Sequence, residues 1–372
     1  MPAIHIRLLF LGVILSLVSI GTVSIYIFLL QSFAIESSRD IILLGISLSI
    51  GTAVFIGITI VGQYFDNRSI RIMYRFSAVW MAVFCYLLLG SAIASCIELL
   101  LGVSQPSTLF WIGTLISACA IILTVFGYIH AQQIHVHTAT ISLPNMPESW
   151  RGKSAVWVSD IHLGHIYGIR RSQQIVDIIQ KIKPDIVFVG GDVFDGTKAP
   201  NLRALVEPFT HVRAPHGMYY ITGNHEEFGA TNVPFLDAVR GVGMQVLTDE
   251  YVDIEGLQII GVDYANAAEE SRFKAILDTI AFDTSKPSIL LKHEPKHLHI
   301  AEAAKISLQL SGHTHRAQLW PLEYIARLAY GGYAYGLKKL GAMQVLVSSG
   351  AGTWGPPVRV GTQSEIVHIT FS

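Results

Sequence analysis

Four long apolar runs crowd the first third of the chain, roughly Leu8–Leu30, Ile41–Gly62, Phe76–Ile97 and Ser107–Ile129. Each is close to the ~20 residues a helix needs to cross a bilayer's hydrocarbon core, where the backbone must satisfy its own hydrogen bonds. Residues 1–130 hold only nine charged side chains, against 44 in the remaining 242 positions. The chain is therefore built for two solvents. The first run exceeds the 7–15 apolar residues of a secretory signal and three more follow it, so it is expected to be a membrane helix. Arg7 and the loop bearing Arg68, Arg71 and Arg75 outweigh Arg39 in the other loops. By the positive-inside rule both ends of this four-helix region, and the polar domain after it, are expected in the cytoplasm.

The remaining composition excludes several classes. A formal net charge of −1 supplies no global positive field for nucleic acid, so no specific nucleic-acid partner is expected. All three cysteines lie in the apolar third, which rules out a disulfide scaffold for the polar part. Thirteen of the 15 histidines lie after residue 130, a first sign of metal or proton chemistry.

Residues 131–153 read as a linker with an edge strand: Ile134, Val136 and Thr138 alternate with His135 and His137 before Pro144 and Pro147. From residue 154 to 372, short apolar runs alternate with amphipathic segments, the pattern of a layered α/β domain. Five of these runs end in polar clusters: Ser159-Asp160-Ile161-His162, Gly191-Asp192-Val193-Phe194-Asp195, Gly223-Asn224-His225-Glu226, Lys292-His293-Glu294 and Gly312-His313-Thr314-His315. Strand ends in a layered fold converge on one crevice. The oxygen and imidazole donors, without thiolate, suit a pair of divalent transition ions such as Mn, Fe, Zn or Co better than a structural zinc or a calcium site.

These blocks resemble the calcineurin-like metallophosphoesterase superfamily, whose pattern is D-x-H, G-D-x-x-D, G-N-H-E/D, a lone H, and G-H-x-H. Ser159-Asp160-Ile161-His162-Leu163-Gly164 and the ending Val347-Ser348-Ser349-Gly350-Ala351-Gly352 are most similar to its bacterial, membrane-anchored phosphodiesterase-like branch. The resemblance implies a four-layer α/β/β/α sandwich after the helices. It also implies one ion held by Asp160, His162, Asp192 and His315 and a second by Asp192, Asn224, His293 and His313, with Asp192 bridging.

Two ions bring +4 against −2 from Asp160 and Asp192, leaving a site attractive to phosphate, and a metal-held hydroxide is the expected nucleophile for in-line attack on phosphorus. His225 stands beside a ligand and is the candidate general acid or transition-state donor, with Asp195 to orient it. The expected function is a membrane-tethered phosphohydrolase of the phosphodiesterase or pyrophosphatase type. Its substrate would be a phosphorylated small molecule or a lipid-linked one, with membrane lipids as neighbours. The competing reading is a noncatalytic membrane scaffold that keeps the fold. Ala317–Tyr335, rich in aromatics directly after His315, reads either as core packing or as an aromatic lip beside the metals.

Overall fold

The computed structural model describes residues 2–62, 64–196, 201–227 and 231–372. The chain divides into two compact units, Met1–Gly62 with Asn67–Tyr128, and Gln63–Asp66 with Ile129–Ser372.

The first unit is helical. Helices α1 (Pro2–Ser32), α2 (Ser38–Gly62), α3 (Arg68–Leu101) and α4 (Pro106–Ala131) are each long and apolar enough to cross a membrane. Helix α3 starts well before the apolar run at Phe76. The Asn67 side chain accepts the Ile70 N–H at 3.0 Å and so caps the helix eight residues earlier than hydropathy alone suggests. Gly102, in the left-handed region at φ 63°, ends it. At 34 residues α3 is roughly 50 Å long against a hydrocarbon core of ~30 Å, so its arginine-bearing first turns can stand outside.

The second unit holds two six-stranded mixed sheets. Its strands in chain order are β1 (Ile134–Ile141), β2 (Ser154–Val158), β3 (Ile186–Val189), β4 (Met218–Tyr220), β5 (Met244–Val246), β6 (Glu250–Ile254), β7 (Leu257–Gly261), β8 (Ser288–Leu291), β9 (Leu308–Ser311), β10 (Gly336–Leu340), β11 (Met343–Val347) and β12 (Ser364–Phe371). One sheet runs β1-β12-β2-β3-β4-β5 and the other β10-β11-β9-β8-β7-β6. β1 takes the edge of the first sheet, pairing in parallel with β12 along all eight residues from Ile134↔Ser364 to Ile141↔Phe371.

Side-chain parity makes the layers. Along β2, Ala155 and Trp157 enter one core with Phe188, Ile289 and Leu310, which is the space between the sheets. Val156 and Val158 face the other way, into a core with Ile175 and Ile179 of helix α5 (Ile169–Ile182). Leu290 and Val345 of the second sheet likewise turn outward against Phe273 and Leu277 of the helix Glu270–Thr279. The result is the expected helix/sheet/sheet/helix sandwich. Strands buried on both faces need near-continuous apolar runs, which is why the five runs ahead of the motifs carry so little polarity.

Candidate metal centre

Strands β2, β3, β4, β8 and β9 each end where a polar block begins, and the loops that follow bring the seven candidate ligands together. Five of the seven have a left-handed backbone: Asp160, His162, Asp192, His313 and His315, with φ between 49° and 68°. For residues with a Cβ this conformation is strained, and such strain persists where surrounding structure fixes a functional geometry. The motif glycines serve mostly through lack of bulk rather than through turn geometry. A Cβ at Gly312 would lie 2.1 Å from Asp160 Oδ2, and one at Gly223 would lie 2.2 Å from Asp192 Oδ1.

The donors form two neighbouring sets. In the first, His162 Nε2 lies 3.0 Å from His315 Nε2, and His315 Nε2 lies 3.6 Å from Asp160 Oδ1. In the second, His313 Nδ1 lies 2.8 Å from Asn224 Oδ1 and 3.3 Å from His293 Nε2. Asp192 Oδ2 stands between them, 3.9 Å from His162 Nε2 and 3.2 Å from His293 Nε2, while its Oδ1 is occupied by the backbone N–H of His225 at 2.9 Å. Donors bound to one ion at about 2.1 Å sit roughly 3 Å apart when adjacent and up to about 4 Å apart when nearly opposite, so spacings of 2.8 to 3.9 Å are compatible with a divalent ion in each set. The imidazoles are aimed: His293 Nδ1 donates to Gly190 O at 2.7 Å, which turns Nε2 toward the centre. Among the described residues the candidate metal clusters are Asp160/His162/His315, His162/Asp192/His225 and Asp192/His293/His313, so His225 also belongs to the constellation.

The electrostatics ask for cations. Asp160 and Asp192 are buried side chains with no lysine or arginine ion pair among the described residues. For Asp192 burial acts to raise the pKa, yet the neighbouring His293, His225 and His162 hold it well below the usual carboxylate range. For His293 burial acts downward, but Asp192 and Asp160 outweigh it and push the imidazole up to about 10. His162 is raised in the same way, burial being overcome by Asp195, Asp192 and Asp160. His313 is lowered to about 4 by burial and His293, and His315 falls well below its ordinary value through burial, His162 and the Arg359 guanidinium. Burial also lowers His225. His293 and His162 are thus biased toward the protonated form, and His313, His315 and His225 toward the neutral form with a lone pair available.

Asp195 has a wider reach than the sequence suggests. Its Oδ1 lies 3.6 Å from His225 Nδ1 and 3.4 Å from His162 Nδ1, so it faces a candidate ligand as well as the candidate donor. His165 is buried, with Nδ1 3.5 Å from Asp66 Oδ1. Two side chains escaped sequence reasoning. Glu226 is fully buried; its Oε2 accepts the N–H groups of Asp192 at 2.9 Å and Gly223 at 2.8 Å, and its Oε1 that of Phe194 at 3.1 Å. It ties the second block to the third, and its place as the last residue of Gly223-Asn224-His225-Glu226 was the available signal. Arg359 lies outside every block. Buried, it donates to the carbonyls of Ser349, Gly352 and His315 at 2.5, 2.7 and 3.2 Å and so fastens the glycine-rich ending to the loop of a candidate ligand. No sequence signal marks it.

The aromatic segment resolves in favour of an exposed surface. The helix Glu323–Ala329 buries none of its residues, and only Leu319 and Ala334 of the surrounding apolar set are buried.

A family model described as calcineurin-like phosphoesterase matches residues 154–317, which contain all seven candidate ligands. An uncharacterized metallophosphoesterase of Aquifex aeolicus (strain VF5) is 32% identical over 260 residues, covering 68% of this chain and 97% of the relative. The chain belongs to the calcineurin-like phosphoesterase family. Within it, an uncharacterized metallophosphoesterase of Helicobacter pylori (strain J99) is 34% identical over 218 residues, 58% of each chain. A transmembrane protein with metallophosphoesterase domain from Danio rerio is 31% identical over 268 residues, 67% of this chain and 60% of that protein. The chain therefore spans less than two thirds of the length of these last two relatives.

Proposed function

We propose that this chain is a membrane-tethered phosphoric ester hydrolase that works with two divalent ions, of the phosphodiesterase or pyrophosphatase type, with its catalytic domain on the cytoplasmic side. The observation that carries the reading is Asp192, whose single oxygen Oδ2 stands between two donor sets while Oδ1 is taken by a backbone N–H. Asp160, His162, Asp192 and His315 would hold one ion, and Asp192, Asn224, His293 and His313 the other. Mn, Fe, Zn and Co all suit these donors. When bound, the ions supply Lewis acidity that withdraws charge from phosphoryl oxygens and acidifies water for attack at neutral pH.

The chain's own groups do the rest. The Gly190 carbonyl fixes His293 with Nε2 turned inward, and the Asp195 carboxylate lies 3.4 Å from His162 Nδ1, the ring nitrogen opposite the one that faces His315. His225 is held below its ordinary pKa and is therefore a neutral imidazole near pH 7, which still carries one N–H. We assign it the role of hydrogen-bond donor to the phosphoryl or leaving oxygen as water attacks in line, rather than that of an imidazolium acid. The two carboxylates leave +2 of the ions' +4 uncompensated, which selects an anionic phosphorylated substrate, either a soluble small molecule or a lipid-linked one.

The test is metal analysis and hydrolysis of a generic aryl phosphodiester, comparing wild type with Asp192→Asn in the full chain. Two ions per chain in wild type, at most one in the variant, and a rate loss of about a thousandfold or more are expected. Equal rates, or substoichiometric metal in wild type, would return the chain to the scaffold reading.

A further inference from the structure

The helix Glu323–Ala329 is an anomaly for a surface helix. Tyr324, Ile325 and Leu328, at the i, i+3 and i+4 spacings of one helical face, are 54%, 63% and 84% exposed. Trp320 and Trp354 extend the same surface, both about half or more exposed, with Gln318 exchanging hydrogen bonds with the Trp354 backbone to hold the two segments together. Exposed apolar side chains gathered in this way mark a surface that meets something apolar.

The ridge is braced at both ends to residues beside the candidate ligands. At its start, Arg316, the residue after His315, donates to Glu323 at 3.0 Å. At its end, the Tyr330 hydroxyl donates to Glu294 Oε1 at 3.1 Å, and that oxygen lies 3.4 Å from His313 Nε2. Whatever the ridge docks on is therefore held next to the metal centre.

Charge identifies the occupant. From residue 316 to 340 the chain carries Arg316, Arg327, Lys338 and Lys339 against one acid, Glu323, which is paired with Arg316. Tryptophans and tyrosines over an apolar face, with a cationic rim, are the composition of segments that lie in a bilayer interface and meet anionic headgroups. A bilayer is also at hand: α4 ends at Ala131 and β1 begins at Ile134, so the chain has almost no spacer between its last span and the sheet. We infer that the surface formed by Trp320, Tyr324, Ile325, Leu328 and Trp354 inserts into the interface of the membrane that the chain's own helices cross, and so brings the metal centre to the level of the lipid phosphates. This rests on the membrane part of the proposed function and not on hydrolysis.

The test uses the full chain in vesicles of phosphatidylcholine with phosphatidylglycerol, carrying one environment-sensitive NBD label. Cys119, exposed on α4, is labelled after Cys85→Ser and Cys96→Ser as the membrane reference. Leu328→Cys, or Ile325→Cys should the first not fold, reports the ridge, and Lys274→Cys on the helix Glu270–Thr279 is the aqueous reference, all three in a chain with the native cysteines replaced. The ridge label should be blue-shifted and quenched by acyl-chain nitroxide lipid about threefold or more above Lys274→Cys, as for a face sunk ~5–10 Å into the headgroup boundary. Quenching at Cys119 with a ridge label that behaves like Lys274→Cys would overturn the docking inference alone. No quenching at Cys119 would overturn the membrane reading and the inference with it. A ridge label shielded only as protein density rises would assign the surface to a second copy, and shielding that appears only with added soluble protein would assign it to a protein partner; either result refutes the membrane assignment.

Discussion

Removing the Glu226 carboxylate should destabilise the domain more than removing any single candidate ligand. In Glu226→Ala three buried N–H donors, from Asp192, Gly223 and Phe194, lose their acceptor together. Each orphaned donor costs about 1–3 kcal/mol, so the sum is about 3–9 kcal/mol against a total stability of ~5–15 kcal/mol. Glu226→Gln is milder: one amide oxygen can still take the Asp192 and Gly223 bonds that share Oε2, but the NH2 group then faces the Phe194 N–H. One lost bond, about 1–3 kcal/mol, corresponds to a Tm fall of roughly 2–10 °C for a unit of this size. The assay is thermal unfolding of the full chain in detergent, with and without chelator. Burial and the Asp192 charge push Glu226 up to about 7 from 4.5. The fold thus keeps a proton that the unfolded chain releases between those values. The associated stability is present below pH 4.5 and is lost as pH rises to about 7, on the order of 3 kcal/mol. Glu226→Gln should abolish that slope, and loading with divalent ions, which neutralises Asp192, should flatten it. A Tm for Glu226→Ala within about 2 °C of wild type would refute the argument that this carboxylate ties the two loops together.

Three further outcomes follow from the site. His225→Asn should leave two ions bound and lower kcat about a hundredfold, by a similar factor for aryl leaving groups of different acidity; a loss that grows steeply with leaving-group pKa would restore the imidazolium-acid role. Asp195→Asn should weaken metal affinity about 10–100-fold in a titration with Mn²⁺ because it loosens His162, and unchanged affinity would confine Asp195 to His225. Gly312→Ala drives a methyl group to 2.1 Å from Asp160 Oδ2 and should lower metal content to one ion or less per chain, whereas full occupancy would show that the loop yields.

The legible parts of this molecule are those encoded in contiguous residues. A run such as Ile186–Val189 followed by Gly190-Gly191-Asp192 states the strand, its end and a candidate ligand in one reading, and the structure forms and ends the strand where that local grammar implies. Hydropathy places the start of α3 at Phe76, whereas the boundary is set by a single capping hydrogen bond at Asn67. Arg359 was invisible because its partners are backbone carbonyls, which every sequence possesses. Sequence order suggests one imidazole for Asp195 where the structure offers two, because the distance between His162 and His225, whose rings meet edge-on at 4.6 Å, depends on two loops meeting. The aromatic segment after His315 stayed ambiguous for a related reason: composition gives the affinity of a helix for apolar surroundings but not which surroundings it receives.

The pairing of β1 with β12 sets an order of events during synthesis. Thr140 and Thr370, neighbours in the sheet, are 230 residues apart in the chain. At ~5–20 residues per second the ribosome needs roughly 10–50 s to deliver the second strand after the first. Throughout that interval the nascent chain presents an unpaired edge just beyond its last hydrophobic span, exposed to mispairing and to proteases. Closure of that sheet is therefore a late checkpoint, and a chain arrested before residue 364 leaves β1 without its hydrogen-bonding neighbour.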